Sequence, residues 1–203
     1  MKHIYFMRHG ETELNKRMRL QGRYDEPLNE KGIRQAIEAG GKIRAMGIHF
    51  DRIYCSPLQR AVKTAMLVTG LKEDDFIYDD RILELDYGKY ERWEFGDLPQ
   101  EVWDFFRNPM DVPEPEGMES LQQLSERTGS FLKDLAEQAD EKDENWLVVC
   151  HGICMRGILG NLVPGGERDA WNSSIENCVL YETCLENGKY TKGVRVEMPE
   201  AQK

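Results

Sequence analysis

Two apolar runs, Ile4-Tyr5-Phe6-Met7 and Trp146-Leu147-Val148-Val149-Cys150, are continuous rather than alternating, and both end abruptly in polar residues. Runs of this length, bounded in this way, predict strands buried on both faces, as in a parallel sheet covered by helices. Phe50 to Cys55 and Phe76 to Tyr78 predict two further short strands. Elsewhere the period changes. Ile33, Ala36, Ile37, Gly40 and Ile43 recur at three- and four-residue steps, which predicts an amphipathic helix ending near Gly47. Leu121, Leu124, Thr128, Phe131, Leu132 and Leu135 form the stripe of a long helix beginning at Ser120. Ser56-Pro57 predicts another helix start, with the hydroxyl as N-cap and proline at the first helical position. Near the end, Ile175 to Leu185 and Lys189 to Glu197 are β-rich and joined through Asn187-Gly188, a hairpin signal.

Strands alternating with helices and closing on a hairpin define the expected fold class. It is α/β, a single-domain three-layer α/β/α arrangement with a mostly parallel sheet and an antiparallel edge strand. At 203 residues the chain is long enough for one such domain, spanning 1–203, and nothing requires two. Seven of the nineteen aromatics fall between Tyr87 and Phe106, which predicts a small helical cap insertion at roughly 88–118. Dense aromatics serve packing more often than they wall a substrate.

Charge narrows the partners. The net charge of −10 argues against nucleic acid and anionic membranes, which demand a basic surface. The distribution is uneven: residues 8–23 hold Arg8, Lys16, Arg17, Arg19 and Arg23 against only Glu11 and Glu13. A basic island in an acidic chain suits a small anionic ligand. No run approaches the ~18 apolar residues of a membrane span, and no secretory leader is evident at the start. The five cysteines are an odd count, read as thiols in a reducing cytoplasm. Cys150 and Cys154 flank His151 without zinc-ligand spacing, so buried small residues are expected there, with no metal and no cofactor. The terminal hairpin leaves an edge on which two chains can pair, so a homodimer stays open.

The chemistry lies where the two buried runs end. The first delivers Arg8-His9-Gly10-Glu11-Thr12, and the second delivers His151-Gly152. Ligands of open α/β sheets bind where strands end. Arg offers a planar fork of donors to an anion, and His is a nucleophile or proton carrier near neutral pH. Two strand ends carrying His-Gly are notable in a chain with four histidines; His3 and His49 lack that context. Arg60 follows a strand end within the helix opened at Ser56, which adds a cation beside a helix N-terminus.

The set of Arg8-His9-Gly10-Glu11-Thr12, Ser56-Pro57 with Arg60, Leu83-Glu84 before Gly88, and His151-Gly152 resembles the histidine phosphatase superfamily, the phosphoglycerate-mutase-like group. The resemblance extends from residue 2 to about 185 and includes Asn15, Gln21-Gly22, Pro27-Leu28 and Gly117-Met118-Glu119-Ser120. Two positions depart from the family pattern: Met118 replaces a second glycine, and Arg92 stands where many relatives have glycine. The resemblance implies His9 as the nucleophile that becomes phosphohistidine and Glu84 as the acid, then base, at the leaving oxygen. It implies Arg8, Arg60 and His151 around the phosphoryl oxygens. Asn15, Gly22 and Gly152 complete the expected phosphate cradle through amide and backbone donors. The expected activity is metal-independent hydrolysis of a small phosphorylated metabolite. The alternatives are a phosphoglycerate-type mutase using the same histidine and a non-catalytic phosphoester-binding module. The aromatic cap suggests an apolar pocket wall, whereas Arg19 and Arg23 suggest a second anionic group; the sequence does not choose.

Overall fold

The computed structural model describes residues 1–199. Its strands are β1 (Lys2–Arg8), β2 (Arg52–Cys55), β3 (Ile77–Tyr78), β4 (Glu144–Cys150), β5 (Leu180–Glu186), β6 (Lys189–Tyr190) and β7 (Val194–Arg195). Its helices are α1 (Glu13–Lys16), α2 (Glu30–Ala45), α3 (Gln59–Thr69), α4 (Gln100–Arg107), α5 (Leu121–Gln138), α6 (Gly152–Asn161) and α7 (Glu167–Asn172). The strands form one sheet in the order β3-β2-β4-β1-β5-β6, with β7 also paired to β5. From β3 to β1 the pairings are parallel; β5 joins β1 antiparallel and carries β6 and β7 antiparallel in turn.

The continuous apolar runs are explained by the strand period of two. Ile4, Phe6, Trp146, Val148 and Cys150 pack with Phe131, Leu132, Leu135, Met155 and Ile158, residues of α5 and α6, on one face. Tyr5, Met7, Leu147 and Val149 pack with residues of α2 and α3 on the other. Residues 4–7 of β1 and 146–150 of β4 therefore face a helix layer on one side or the other. The expected three-layer α/β class holds.

Two local readings need correction. In α2 the buried residues are Gly32, Ala36, Ala39, Gly40 and Ile43, and Ile37 is exposed. The face is set by backbone approach: a Cβ on Gly32 would lie 2.1 Å from the carbonyl oxygen of Glu11, and one on Gly40 would lie 2.6 Å from that of Val68. Helix α3 begins at Gln59 with Leu58 at its N-cap, so Ser56 is not the cap. Asp140 and Glu144 bind the buried Lys2 ammonium at 2.6 and 3.0 Å, and Asp143 binds the chain's amino terminus.

The segment 88–118 leaves and rejoins the fold at one place. A Cβ on Gly88, at φ +52°, would lie 2.1 Å from the Gly117 carbonyl oxygen, and Glu119 N–H donates to Asp86 C=O at 2.8 Å. Its aromatics form a core of their own, with Tyr87, Tyr90, Val102, Phe105 and Met118 buried around Leu20 and Leu85. Met118, at the altered glycine, fills that core. Arg92 holds a left-handed backbone, φ +70°, with its guanidinium 5.0 Å from the Tyr24 ring.

Candidate active site

The parallel pairing of β1 with β4 brings the two histidines together. Arg8 lies opposite Cys150, and His9 N–H continues the ladder onto Cys150 C=O at 3.0 Å. Residues 9 and 151 thus leave the same end of neighbouring strands, and their ring centroids stand 5.2 Å apart.

Hydrogen bonds fix the tautomer of each ring. His9 Nδ1 lies 2.7 Å from the Gly10 carbonyl, which only accepts; Nδ1 therefore carries the proton and Nε2 keeps its lone pair. His151 Nδ1 accepts from Arg60 Nε–H at 3.2 Å, so its Nε2–H donates to Ser56 Oγ at 2.7 Å. This is where the Ser56 hydroxyl is used in place of a helix cap. Burial, then Arg60 and Arg8, hold the His9 ring well below the usual imidazole range; burial, Arg60 and His9 do the same for His151. Both rings are neutral at pH 7.

Gly10 and its surroundings hold the nucleophile in place. Gly10 N–H donates to Thr64 Oγ1, which donates to Arg60 C=O, and Asn177 Nδ2 donates to His9 C=O at 2.6 Å. Asn177 carried no signal in the sequence; only the crossing of the β5 approach beside β1 places it here.

Arg8, His9, Asn15, Gly22, Arg60, Glu84 and Gly152 line one cavity of about 180 Å³, together with Arg19, Gln21 and Arg156. Leu20, Tyr87, Phe95, Ile153 and Ile175 form its apolar wall. All the expected residues therefore meet, except that His151 stands behind Arg60 and does not line the space. Of the two arginines read as a second-anion signal, Arg19 lines the cavity and pairs with Glu94, while Arg23 is turned to Asp86 and Glu119. Arg156 is the cavity cation that sequence reasoning missed; it lies one turn beyond Gly152 on the same face of α6.

Arg60 is fully buried. It donates to the carbonyls of Gly22 at 2.7 Å and Tyr24 at 2.8 Å, as well as to His151. Burial lowers it to about 10, partly countered by Glu84, so it stays charged at neutral pH. Gly22, at φ +54°, gives that carbonyl its direction and leaves no room for a side chain against Glu91. Asn15 closes a reciprocal cap with Thr12 through its Oδ1, which leaves Nδ2 as a donor at the cavity.

Glu84 sits at the N-terminus of α6. Its Oε1 accepts N–H from Leu85, Ile153 and Cys154 at 3.0, 3.1 and 2.9 Å, while Oε2 has only a 3.3 Å contact from Ile153. Arg127 clamps the preceding chain: it donates to the carbonyls of Arg81, Leu83 and Glu84 and is itself held by Glu119 at 2.5 and 3.0 Å. At α3 the corresponding end is occupied by Asp25, whose carboxylate accepts Gln59 N–H at 2.9 Å. That helix end therefore is not the anion site; Arg60 reaches the cavity through its side chain.

One property separates this cavity from the rest of the molecule. Among the described residues, four buried side-chain donors lack any hydrogen-bond partner: Arg8 Nε, Arg19 Nε, Gln21 Nε2 and Arg156 Nε. All four belong to residues of this cavity. A buried donor left unpaired costs about 1–3 kcal/mol, more when charged, and among the described residues that cost falls on the residues around this cavity.

A cationic cavity at the C-terminal ends of parallel strands, with a neutral imidazole and a carboxyl at its wall, defines a phosphoester site of the histidine type. The sequence profile of the histidine phosphatase superfamily, branch 1, matches residues 4–195, and the chain belongs to that family. It is 31% identical over 195 residues to a Hydrogenobacter thermophilus protein provisionally named phosphoserine phosphatase 2, covering 94% of this chain and 93% of that one. A Salmonella arizonae protein provisionally named phosphoglycerate mutase GpmB is 33% identical, with 89% and 83% covered. A mutant Entamoeba histolytica phosphoserine phosphatase solved with phosphoserine superposes with a TM-score of 0.80 at 25% identity, covering 100% of this chain and 98% of that one. An Escherichia coli structure provisionally assigned as an α-ribazole-5′-phosphate phosphatase gives 0.82 at 25% identity, with 97% and 98% covered. The class of enzyme is phosphatase. Among the described residues no helix is long and apolar enough to cross a membrane.

Proposed function

We propose that the chain hydrolyses small phosphate monoesters through a phosphohistidine on His9, without a metal ion. The observation that carries this reading is that His9, whose Nε2 keeps its lone pair, and Glu84 line one cavity with Arg8 and Arg60, two guanidinium groups held only by neutral acceptors. Nε2 attacks phosphorus; the N–P bond forms as the P–O bond to the alcohol breaks, and Glu84 gives the leaving oxygen its proton. Water then attacks the phosphohistidine, Glu84 takes the proton back, and inorganic phosphate leaves with the N–P bond broken. Arg8 and Arg60 face the equatorial oxygens and bear the charge that builds there, which is the main demand of phosphoryl transfer. His151 holds Arg60 Nε and the His9 ring in register, and Asn15, Gly22 and Gly152 shape the cradle. Relatives named for phosphoserine and α-ribazole-5′-phosphate support a monoester substrate.

The likeness to the Salmonella protein favours a second reading, in which the same histidine returns the phosphoryl group to another hydroxyl. Phosphate release from a panel of monoesters, measured beside isomerisation of 3-phosphoglycerate and with chelator present, separates the two. Hydrolysis lost in His9→Ala and unaffected by chelator supports the proposal. A His9→Ala protein that turns over at the full rate sinks it.

A further inference from the structure

At the end of the sheet opposite the cavity, strand register gathers three metal-binding side chains. His3 stands opposite Cys184 across β1 and β5, and Tyr5 stands opposite Glu182. Cys184 turns its backbone away from β1: its N–H donates to Thr191 Oγ1 and its C=O accepts Thr191 N–H, both at 2.9 Å. His3 and Cys184 therefore form a pair without mutual backbone hydrogen bonds, the kind in which facing Cα atoms approach to about 4.5 Å and side chains lie closest. Glu182, two residues along the same face, reaches them diagonally. His3 Nδ1 lies 2.6 Å from Glu182 Oε1 and 3.8 Å from Cys184 Sγ, and the three donor atoms lie within 4.8 Å of one another. Among the described residues no other three His, Cys, Asp or Glu side chains converge in this way.

The donor set and its setting select the ion. An imidazole nitrogen, a thiolate and a carboxylate suit zinc, and the sulfur disfavours calcium and magnesium, which take oxygen ligands. Zinc bonds of about 2.3 Å to sulfur and 2.0–2.1 Å to nitrogen hold those atoms about 3.5 Å apart at a tetrahedral angle, close to the 3.8 Å present. The Glu182 carboxylate accepts the Nδ1 proton of His3. On coordination the ion takes that proton's place, the imidazole keeps its proton on Nε2, and the thiol releases its own to solvent. Glu182 then draws back by less than about 1 Å to a zinc–oxygen bond. The His3 and Glu182 side chains keep 33% and 26% exposure, so an ion can enter and water can fill the fourth position. Of the five cysteines, Cys184 is the one that is not buried. The Tyr5 hydroxyl, beside Glu182, is placed to orient the carboxylate. A plain hydrogen bond between His3 and Glu182 needs no sulfur aimed at the same nitrogen.

We propose that His3, Glu182 and Cys184 bind one zinc ion that fastens β5 to β1, remote from the chemistry. His3 precedes His9 by six residues of β1, roughly 20 Å at the strand rise of about 3.3 Å per residue. The site therefore neither rests on the phosphatase reading nor alters the chelator result expected of it. The full chain, stripped of metal, is titrated with zinc against a chromophoric chelator, and with cobalt(II) as a spectroscopic stand-in. One equivalent should bind, and the cobalt complex should show the charge-transfer band of a thiolate ligand beside the d–d bands of a tetrahedral site. Cys184→Ser should erase the charge-transfer band and weaken zinc binding by about 100-fold or more, at least the loss that follows from removing an outer partner of a metal ligand. His3→Gln should weaken it as much. His9→Ala should bind zinc as the wild type does, which separates this site from the phosphate cavity. Zinc at 100 times its Kd should raise the melting temperature by about 5–10 °C. Cys184→Ser changes one atom and keeps the backbone bonds to Thr191, so it should melt like the wild type without zinc and gain nothing from that zinc concentration. No zinc uptake, uptake undiminished in Cys184→Ser, or uptake lost in His9→Ala overturns the proposal.

Discussion

Replacing Gly10 by alanine should disable the nucleophile while leaving the chain folded. A Cβ at Gly10 would lie 2.5 Å from the Gly32 carbonyl oxygen and 3.0 Å from its carbon, so reaching ordinary contact at 3.4 Å requires a backbone retreat of about 0.9 Å. Both atoms belong to the first turn of α2, not to a flexible side chain. Gly32 has no slack of its own, since its Cβ position is 2.1 Å from Glu11 O. The Gly10 peptide must therefore move, and its carbonyl is the group that holds His9 Nδ1–H at 2.7 Å. A misplacement of about 1 Å costs roughly 100-fold in rate, whereas overpacking costs about 1–3 kcal/mol, which a domain of 5–15 kcal/mol survives. The assay is kcat on 4-nitrophenyl phosphate beside the urea midpoint. Gly40→Ala is the control: it makes a clash of similar size, 2.6 Å from the Val68 carbonyl oxygen, away from the peptide that holds the His9 ring, so it should lose stability with little loss of kcat. A folded Gly10→Ala protein with kcat within twofold of wild type would refute this chain of reasoning.

Glu84→Gln should lower kcat on alkyl phosphates by about 100- to 10,000-fold and on 4-nitrophenyl phosphate far less, because that leaving group departs without a proton; equal losses on both would remove Glu84 from the acid role. Inorganic phosphate should stabilise the protein by about 2.7 kcal/mol at 100 times its Kd, read as a rise in melting temperature that Arg60→Ala abolishes; an unchanged Arg60→Ala response would place the anion elsewhere. Stability should fall in mild acid. His9 and His151 are held below 6.5 in the folded state, so the unfolded chain binds their protons first. The stabilisation is complete above that value and is lost as pH drops below it, by about 1.4 kcal/mol per unit for each ring. Urea midpoints at pH 7.0 and 5.5 should show a smaller drop in His9→Ala than in wild type; identical drops would mean His9 is not buried in its neutral form.

What the sequence carried was set by chain-local physics and by strand order. Uninterrupted apolar runs do occur where both faces of β1 and β4 are covered, and the Asn187-Gly188 hairpin has positive φ at both turn residues, 50° and 72°. Arg8, His9 and His151-Gly152 were legible because they end strands, and Arg60 because it lies at the start of a helix; Glu84, Asn15 and Gly22 came only through the family resemblance. Three features were not legible, and each depends on a partner distant in the chain. Ser56 looks like a cap locally, but His151, 95 residues on, claims its hydroxyl. Ile37 fits the helical stripe, yet two glycine contacts with Glu11 and Val68 rotate the buried face. Arg156 is one more helix arginine until Trp171, Ser173 and the cavity surround it.

The most costly side chains of this molecule gather in one place. Arg60 is fully buried without a carboxylate, an arrangement that costs several kcal/mol unless an opposite charge arrives. Elsewhere the chain satisfies its buried cations within itself: Lys2 has Asp140 and Glu144, and Arg127 has Glu119 and three carbonyls. A fold that can supply carboxylates to Lys2 and Arg127 could supply one to Arg60, and it offers carbonyl dipoles and a neutral imidazole in their place. Carbonyls orient a guanidinium without cancelling its charge. An internal counter-ion would have stabilised the empty protein and competed with the incoming phosphate, so the unpaired state of Arg8 and Arg60 is what preserves their attraction for the reacting group.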